Sequence, residues 1–213
     1  MTPIDGTLLI ARHTESEWNK RGIWTGTRDI HLTPYGKERA YDLGLLIADI
    51  DIQQAFCSEQ HRSRETLDEM ARAMGRSDVP IIHSSALNER DYGDYTGKNK
   101  WNMRDLVGEI EFDRMRREFE YPIPHGETLS AVYARAVPFY VETIVPMLHD
   151  GKNVLVVSHG NTLRSLMKYI ESISDEGIKD VEMMFETVYI YKVDDQGRLI
   201  SRDERFAGSR ESE

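Results

Sequence analysis

The chain has 213 residues, of which 30% are charged and 39% hydrophobic, a balance that excludes a disordered or membrane-embedded polypeptide. Lys and Arg total 27 against 37 Asp and Glu, and the formal net charge of -10 disfavours general binding to nucleic acid or to an anionic membrane. It does not forbid an anionic ligand, because a local cluster of arginines can outweigh the global sign.

At this length about 70% of the unfolded surface can be buried, enough for a core without staples. No run approaches about 18 apolar residues, so no spanning helix is expected. Residues 1–10 lack the basic segment and long apolar run of a secretory signal. The single cysteine, Cys57, excludes an internal disulfide and predicts a reducing, cytoplasmic setting.

The first element is the apolar run Thr7-Leu8-Leu9-Ile10-Ala11, which predicts a buried strand. Residues 34–50 place Tyr35, Ala40, Leu43, Leu46, Ile47 and Ile50 at helical spacing. Thr33 is the expected N-cap of that helix and Pro34 fits its first position. Residues 53–57 predict a second strand, 62–74 a helix stopped by Gly75, and 79–83 a third strand. The charged stretch 103–119, marked by Leu106, Ile110, Met115 and Phe119, predicts one or two surface helices. Residues 121–126 are a break. Residues 128–148 carry a long helical pattern that Pro138 and Pro146 should kink or shorten. Residues 154–157 are the most strand-like run and lead through a polar turn into a helix over 162–170. Residues 188–193 and 199–202 predict a closing hairpin, and 207–213 a polar tail. Strands alternating with helices predict an α/β layered fold, in a single domain over 1–206 because nothing resembles a linker.

In open α/β sheets, sites form beyond the carboxyl ends of strands. His13 ends the first predicted strand and His159 the fourth. Arg12 beside His13 suits an anionic group, since guanidinium makes bidentate bonds to phosphate or carboxylate. Neighbouring cations also depress a histidine's pKa and keep the ring neutral and nucleophilic. Ser16 and Asn19 add neutral donors near a helix start. Taken alone, Ser16 reads equally as a simple cap and Arg12 as a surface ion-pair partner. Arg62, four residues past Ser58, could point back from the first turn of its helix toward the sheet end.

The ordered motifs are more specific. The pattern R-H-G-x-S-x-W-N appears as Arg12-His13-Thr14-Glu15-Ser16-Glu17-Trp18-Asn19, and F-T-G-W-x-D as Trp24-Thr25-Gly26-Thr27-Arg28-Asp29. T-S-x-L-x-R-A-x-x-T appears as Cys57-Ser58-Glu59-Gln60-His61-Arg62-Ser63-Arg64-Glu65-Thr66. L-N-E-R-x-Y-G-x-x-x-G-x-N-K runs from Leu87 through Gly97, Asn99 and Lys100. The pair Arg116-Arg117, the segment Gly126-Glu127-Thr128-Leu129 and the turn Ser158-His159-Gly160-Asn161-Thr162-Leu163-Arg164 follow in order. On these residues, from position 7 to about 194, the chain resembles the histidine phosphatase superfamily, and within it the cofactor-dependent phosphoglycerate mutases.

The resemblance implies a three-layer α/β/α domain with a mostly parallel central sheet. It implies that His13 is phosphorylated, with Arg12, Arg62 and His159 around the phosphoryl, and that Glu89 is the general acid/base. Arg90, Tyr92, Lys100, Arg116 and Arg117 match positions that hold the substrate's carboxylate and second phosphate. Thr25, Gly26, Gly160 and Asn161 match neutral or main-chain donors. Without the resemblance, Glu89 reads as a cap or a partner of Arg90, and Arg116-Arg117 as a solvated basic run. His31, His61, His83, His125 and His149 are expected to be structural or exposed, Cys57 to be a small buried residue, and Trp18 and Trp24 to shape the pocket wall.

The implied reaction interconverts 2-phosphoglycerate and 3-phosphoglycerate, primed by 2,3-bisphosphoglycerate and without a metal, in glycolysis and gluconeogenesis. The partner is a small phosphorylated acid, and a homo-oligomer lies within expectation. A phosphatase of the same superfamily, acting on small phosphorylated metabolites, and a non-catalytic phospho-ligand module are the rival readings. Departures from the pattern are Thr14 for glycine, Thr27-Arg28 for Trp-x, Asp91 for histidine, and Phe185-Glu186-Thr187 near the usual P-T-G. A β-branched residue at 14 requires either an ordinary backbone conformation or strain.

Overall fold

A computed structural model of the chain describes residues 4–208, so residues 209–213 of the expected tail lie outside the described part. The layers follow from alternation within the first apolar run. Leu8 and Ile10 face one hydrophobic cluster, and Leu9 and Ala11 face another. Successive strand side chains point to opposite faces, so an all-apolar strand is one covered on both sides. That strand is β1 (Leu8–Arg12).

Five more strands join it: β2 (Gln54–Cys57), β3 (Ile81–His83), β4 (Val154–Ser158), β5 (Thr187–Val193) and β6 (Leu199–Phe206). The sheet order is β3-β2-β4-β1-β5-β6. β4 is parallel to both β1 and β2, and β3 to β2, whereas β5 is antiparallel to both β1 and β6. The mostly parallel sheet is therefore as expected.

The helices are α1 (Glu17–Lys20), α2 (Pro34–Leu46), α3 (His61–Met74), α4 (Lys100–Val107), α5 (Glu109–Arg117), α6 (Leu129–Phe139), α7 (Val145–His149) and α8 (Gly160–Ile170). Leu43 and Ile47 at the α2 end, with Leu67 and Met70 of α3, cover one face of the sheet. Tyr140, Ile144 and Leu148, with Leu163, Leu166 and Ile170 of α8, cover the other. Helices α4 and α5 stand apart and pack Met103, Phe112 and Met115 on Trp24 and Tyr92 in a separate small core.

Several boundaries differ from the sequence reading, each for a local reason. The helix expected to reach residue 50 ends at Leu46, where the Ile47 amide turns back to the Gly44 carbonyl. β3 begins only after Pro80, which has no amide for the ladder. The charged stretch is two helices meeting at Gly108, whose φ of 83° a side chain would resist. The long pattern over 128–148 is α6, a π-helical turn over Tyr140–Ile144, and α7. Pro146 cannot donate to the Glu142 carbonyl, and the turn before it widens so that the Val145 amide reaches the Tyr140 carbonyl. α8 starts at Gly160 rather than 162, which brings its N-terminus directly behind His159. β6 continues past residue 202 to Phe206.

Candidate active site

The carboxyl ends of β1, β2 and β4 meet at a cleft that is open to solvent. The β1–β4 ladder continues one residue further, as the His13 amide donates to the Ser158 carbonyl at 2.9 Å. That places His13 and His159 on adjacent strands, with ring centroids 5.0 Å apart.

His13 is 2% exposed. Its Nδ1 lies 2.7 Å from the Thr14 carbonyl, which can only accept, so Nδ1 carries the proton and Nε2 is left as the free base. Burial, then the charges of Arg62 and Arg12, hold its pKa well below the usual histidine value. His159 is fully buried, and its Nε2 lies 2.7 Å from the Ser58 hydroxyl. Its Nδ1 is buried with no hydrogen-bond partner. Burial and Arg62 also lower its pKa well below the usual value.

Thr14 does not adopt a left-handed backbone, so the replaced glycine costs no strain. Its hydroxyl donates to the Gly36 carbonyl at 2.7 Å and its amide to Thr66 Oγ1 at 3.2 Å. These bonds brace the residue whose carbonyl sets the His13 tautomer.

The cations surround this pair. Arg12 donates from Nη1 to the Met183 carbonyl and lies 3.6 Å from the Phe185 ring centroid. Arg62 donates to the Gly26 and Arg28 carbonyls, and burial pushes its pKa down to about 10. Gly26 has φ +51°, and a Cβ there would lie 2.9 Å from Thr96 Oγ1 and 3.2 Å from the Tyr92 amide nitrogen. The Nε atoms of Arg12, Arg62 and Arg164, with Thr25 Oγ1, are buried and unpartnered. Buried polar groups are ordinarily satisfied, so these orphans point to an anion that completes them.

Lys100, Arg116 and Arg117 line the outer part of the cleft, with Asn19, Tyr92 and Asn161. Asn161 donates to the Tyr92 hydroxyl at 2.8 Å. Burial, with Arg12 and Arg116 nearby, pushes the Lys100 pKa down to about 8. Lys100 is thus charged below that pH and loses its charge as the pH rises through it. Affinity for an anionic ligand should fall about tenfold between about pH 7 and about pH 9, as one charged hydrogen bond is lost. Inhibition constants for inorganic phosphate and 3-phosphoglycerate measured across that range check this. The variant Lys100→Met should flatten the profile.

Glu89 is 8% exposed and lines the cleft. Its Oε1 accepts from the Arg90 amide at 2.8 Å and from Asn161 Nδ2 at 3.4 Å. Arg90 does not pair with it. The Arg90 guanidinium is fully buried and spent on the carbonyls of Met115, Tyr121 and Glu127. Its expected place against the substrate is therefore corrected: Arg90 ties α5 and the 121–127 loop to the Glu89 segment. Ser16 is corrected likewise. It is fully buried as the N-cap of α1, with its hydroxyl donating to Asn19 Oδ1 at 2.7 Å. Asn19, not Ser16, faces the cleft.

Three contributors were missed from the sequence. Arg164 donates to the carbonyls of Arg116 and Arg117, which draws the end of α5 to the cleft. Its signal was its place three residues after Asn161 at the end of the quoted turn. Gln60 stands where the T-S-x-L-x-R pattern has leucine. It accepts from the Glu89 amide at 2.8 Å and donates to the Gly26 carbonyl at 3.0 Å. Glu182, with no sequence signal, enters the cleft beside Met183. Cys57 is buried with its thiol pushed up to about 12, which makes it inert. Among the described residues no group of three or more His, Cys, Asp or Glu could hold a metal ion. Nor is any helix among them long and apolar enough to cross a membrane.

The fold and this cleft define a class: an α/β protein with a neutral histidine held among guanidinium groups at the ends of parallel strands. The family model described as histidine phosphatase superfamily (branch 1) matches residues 8–203. The chain belongs to that superfamily and, within it, to the family of its relatives named 2,3-bisphosphoglycerate-dependent phosphoglycerate mutase. One such relative, from Parvibaculum lavamentivorans, is 35% identical over 92% of this chain and 94% of its own. Another, from Cytophaga hutchinsonii, is 39% identical over 87% of this chain and 86% of its own. Among solved structures, YhfR of Bacillus stearothermophilus superposes with a TM-score of 0.80 at 29% identity, covering 91% of this chain and 94% of that one. A mycobacterial glucosyl-3-phosphoglycerate phosphatase shares the fold, with a TM-score of 0.78 at 18% identity, covering 87% of this chain and 92% of that one.

Proposed function

We propose that the enzyme interconverts 2-phosphoglycerate and 3-phosphoglycerate through phosphorylated His13, in a cytoplasmic glycolytic and gluconeogenic setting. The observation that carries the reading is the fixed tautomer of His13: Nδ1–H is spent on the Thr14 carbonyl and Nε2 is an unprotonated nucleophile among arginines. Bound 2,3-bisphosphoglycerate supplies the phosphoryl that charges this nitrogen. The residues fit such a ligand, since its phosphoryl groups would satisfy the orphaned Nε atoms and Thr25 Oγ1.

His13 Nε2 attacks phosphorus and holds the group covalently, which splits one transfer into two. Arg12 and Arg62 neutralise the equatorial oxygens as charge spreads over them, with His159 beside His13. Glu89 takes the proton from the accepting hydroxyl and returns one to the departing oxygen. Lys100, Arg116 and Arg117 hold the carboxylate and second phosphoryl of the substrate. They retain the doubly phosphorylated intermediate longer than water needs to attack phosphohistidine.

Incubation with 2,3-bisphosphoglycerate should leave an acid-labile phosphoryl on His13, found by mapping the modified peptide. A coupled assay should then show mutase turnover in excess of phosphate release. In the double variant Arg116→Ala/Arg117→Ala, mutase turnover should fall about tenfold or more while phosphate release changes less, as ligands held by charge-assisted bonds lose them. Equal losses would remove that role from the pair. The phosphatase reading keeps one supporting observation, since a carboxylate, Glu182, already occupies Arg117. Steady phosphate release indifferent to bisphosphoglycerate would establish it.

A further inference from the structure

Among the described residues, the cleft's cations differ in one respect. Arg12, Arg62, Lys100, Arg116 and Arg164 line it without a carboxylate in ion-pair contact, whereas Arg117 has one, Glu182, at 3.3 Å. Two carboxylates line the cleft, and they are held differently. Glu89 is bound by the Arg90 amide and Asn161. Glu182 lies on the segment 181–186 that enters β5.

That segment is fastened on both sides of Glu182. The Val181 carbonyl accepts from Arg117 Nη1 at 3.3 Å, and the Met183 carbonyl accepts from Arg12 Nη1 at 3.3 Å. Phe185 lies over Arg12 and edge-on to the His13 ring. Glu186, in a left-handed conformation with φ 59°, is locked to the buried Arg39 at 3.0 Å. The Glu182 backbone is therefore placed, and its side chain is 60% exposed and lines the cleft beside Arg117. Its field also reaches Arg12.

We propose that Glu182 is a specificity-determining residue: it holds Arg117 and opposes the second anionic group of a ligand seated in the cleft. The inference rests on the reading of the cleft as a site for a phosphorylated carboxylic acid. A ligand with one phosphoryl at His13, Arg12 and Arg62 leaves the Arg117–Glu182 pair intact. A ligand with a carboxylate or second phosphoryl must take Arg117 from Glu182 and then sit beside a like charge. Glu182 thus penalises the doubly anionic ligands that the outer cations favour.

The test compares two ligands of nearly equal size, 3-phosphoglycerate and glycerol 3-phosphate, which differ in whether the far end carries a carboxylate. The variant Glu182→Gln removes the charge and keeps an amide oxygen for Arg117. The residue is exposed, so the fold should be unaffected. In that variant 3-phosphoglycerate should bind about fivefold tighter, the upper end for release of an exposed ion pair, while glycerol 3-phosphate changes less than about twofold. The difference should shrink as salt is raised, because such contacts are screened within about 8 Å at physiological ionic strength. An equal shift for both ligands, or none, overturns the role of Glu182. Failure of the wild-type enzyme to prefer 3-phosphoglycerate over glycerol 3-phosphate would instead overturn the reading of the outer cleft.

Discussion

Replacing His13 by Asn should abolish the acid-labile phosphoenzyme and lower kcat/KM by about four orders of magnitude or more, the usual cost of removing a covalent nucleophile. The size follows from what cannot be replaced. Arg12, Arg62 and His159 can bind a phosphoryl in the variant, but none of them can carry it. Two of them are cations, and His159 has its Nε2 engaged with the Ser58 hydroxyl. Asn is chosen over Ala because its amide nitrogen can still reach the Thr14 carbonyl, so the loop from β1 into α1 keeps its brace. Inorganic phosphate should therefore still bind the variant, and loss of that binding would mean that His13 acts structurally. A phosphoenzyme that survives in the variant and maps to His159 would transfer the nucleophile's role to the second ring.

The same loop shows what a sequence discloses and what it conceals. Leu8 to Ala11 announces a strand covered on both faces, and the polar turn after it announces a site, because periodicity and strand-end chemistry are local. The turn after β4 is legible for the same reason. Arg12, His13, Arg62 and His159 are near one another in the folded chain because three strand ends of a layered sheet converge, which the order of elements already implies. Arg164 is different. On its helix it reads as one more cation, and its function lies in two carbonyls 47 and 48 residues away. Arg90 misleads in the opposite direction, since its charge suggests a ligand while its burial among carbonyls makes it a tie between loops. The segment 181–186 has neither helical nor strand periodicity, and its usual motif is absent, so nothing local indicated that it would cross the cleft. The π-helical turn before α7 was equally hidden: two prolines forecast a disturbance, but not that one widened turn would absorb it.

Replacing Glu89 by Gln should lower kcat for mutase turnover by about 10² to 10⁴, the range for loss of a general acid/base, with little change in KM. The substitution keeps the size of the side chain and an oxygen for the Arg90 amide. It also leaves in place what holds the segment: the Gln60 bond to the Glu89 amide, the Thr162 bond to the Asn88 carbonyl and the Arg135 bond to the Glu89 carbonyl. What is lost is the ability to move a proton. A purely structural role for Glu89 would depress every reaction of the site alike, so the decisive comparison uses two phosphoryl donors. Transfer to His13 from 2,3-bisphosphoglycerate releases an alkoxide that needs a proton, and it should slow with kcat. Transfer from 4-nitrophenyl phosphate releases a stable phenolate that does not, and it should change by less than about tenfold because protonation contributes little there. Equal slowing with both donors would make Glu89 a positioning residue and leave the proton transfer to another group of the cleft, of which Glu182 is the remaining carboxylate.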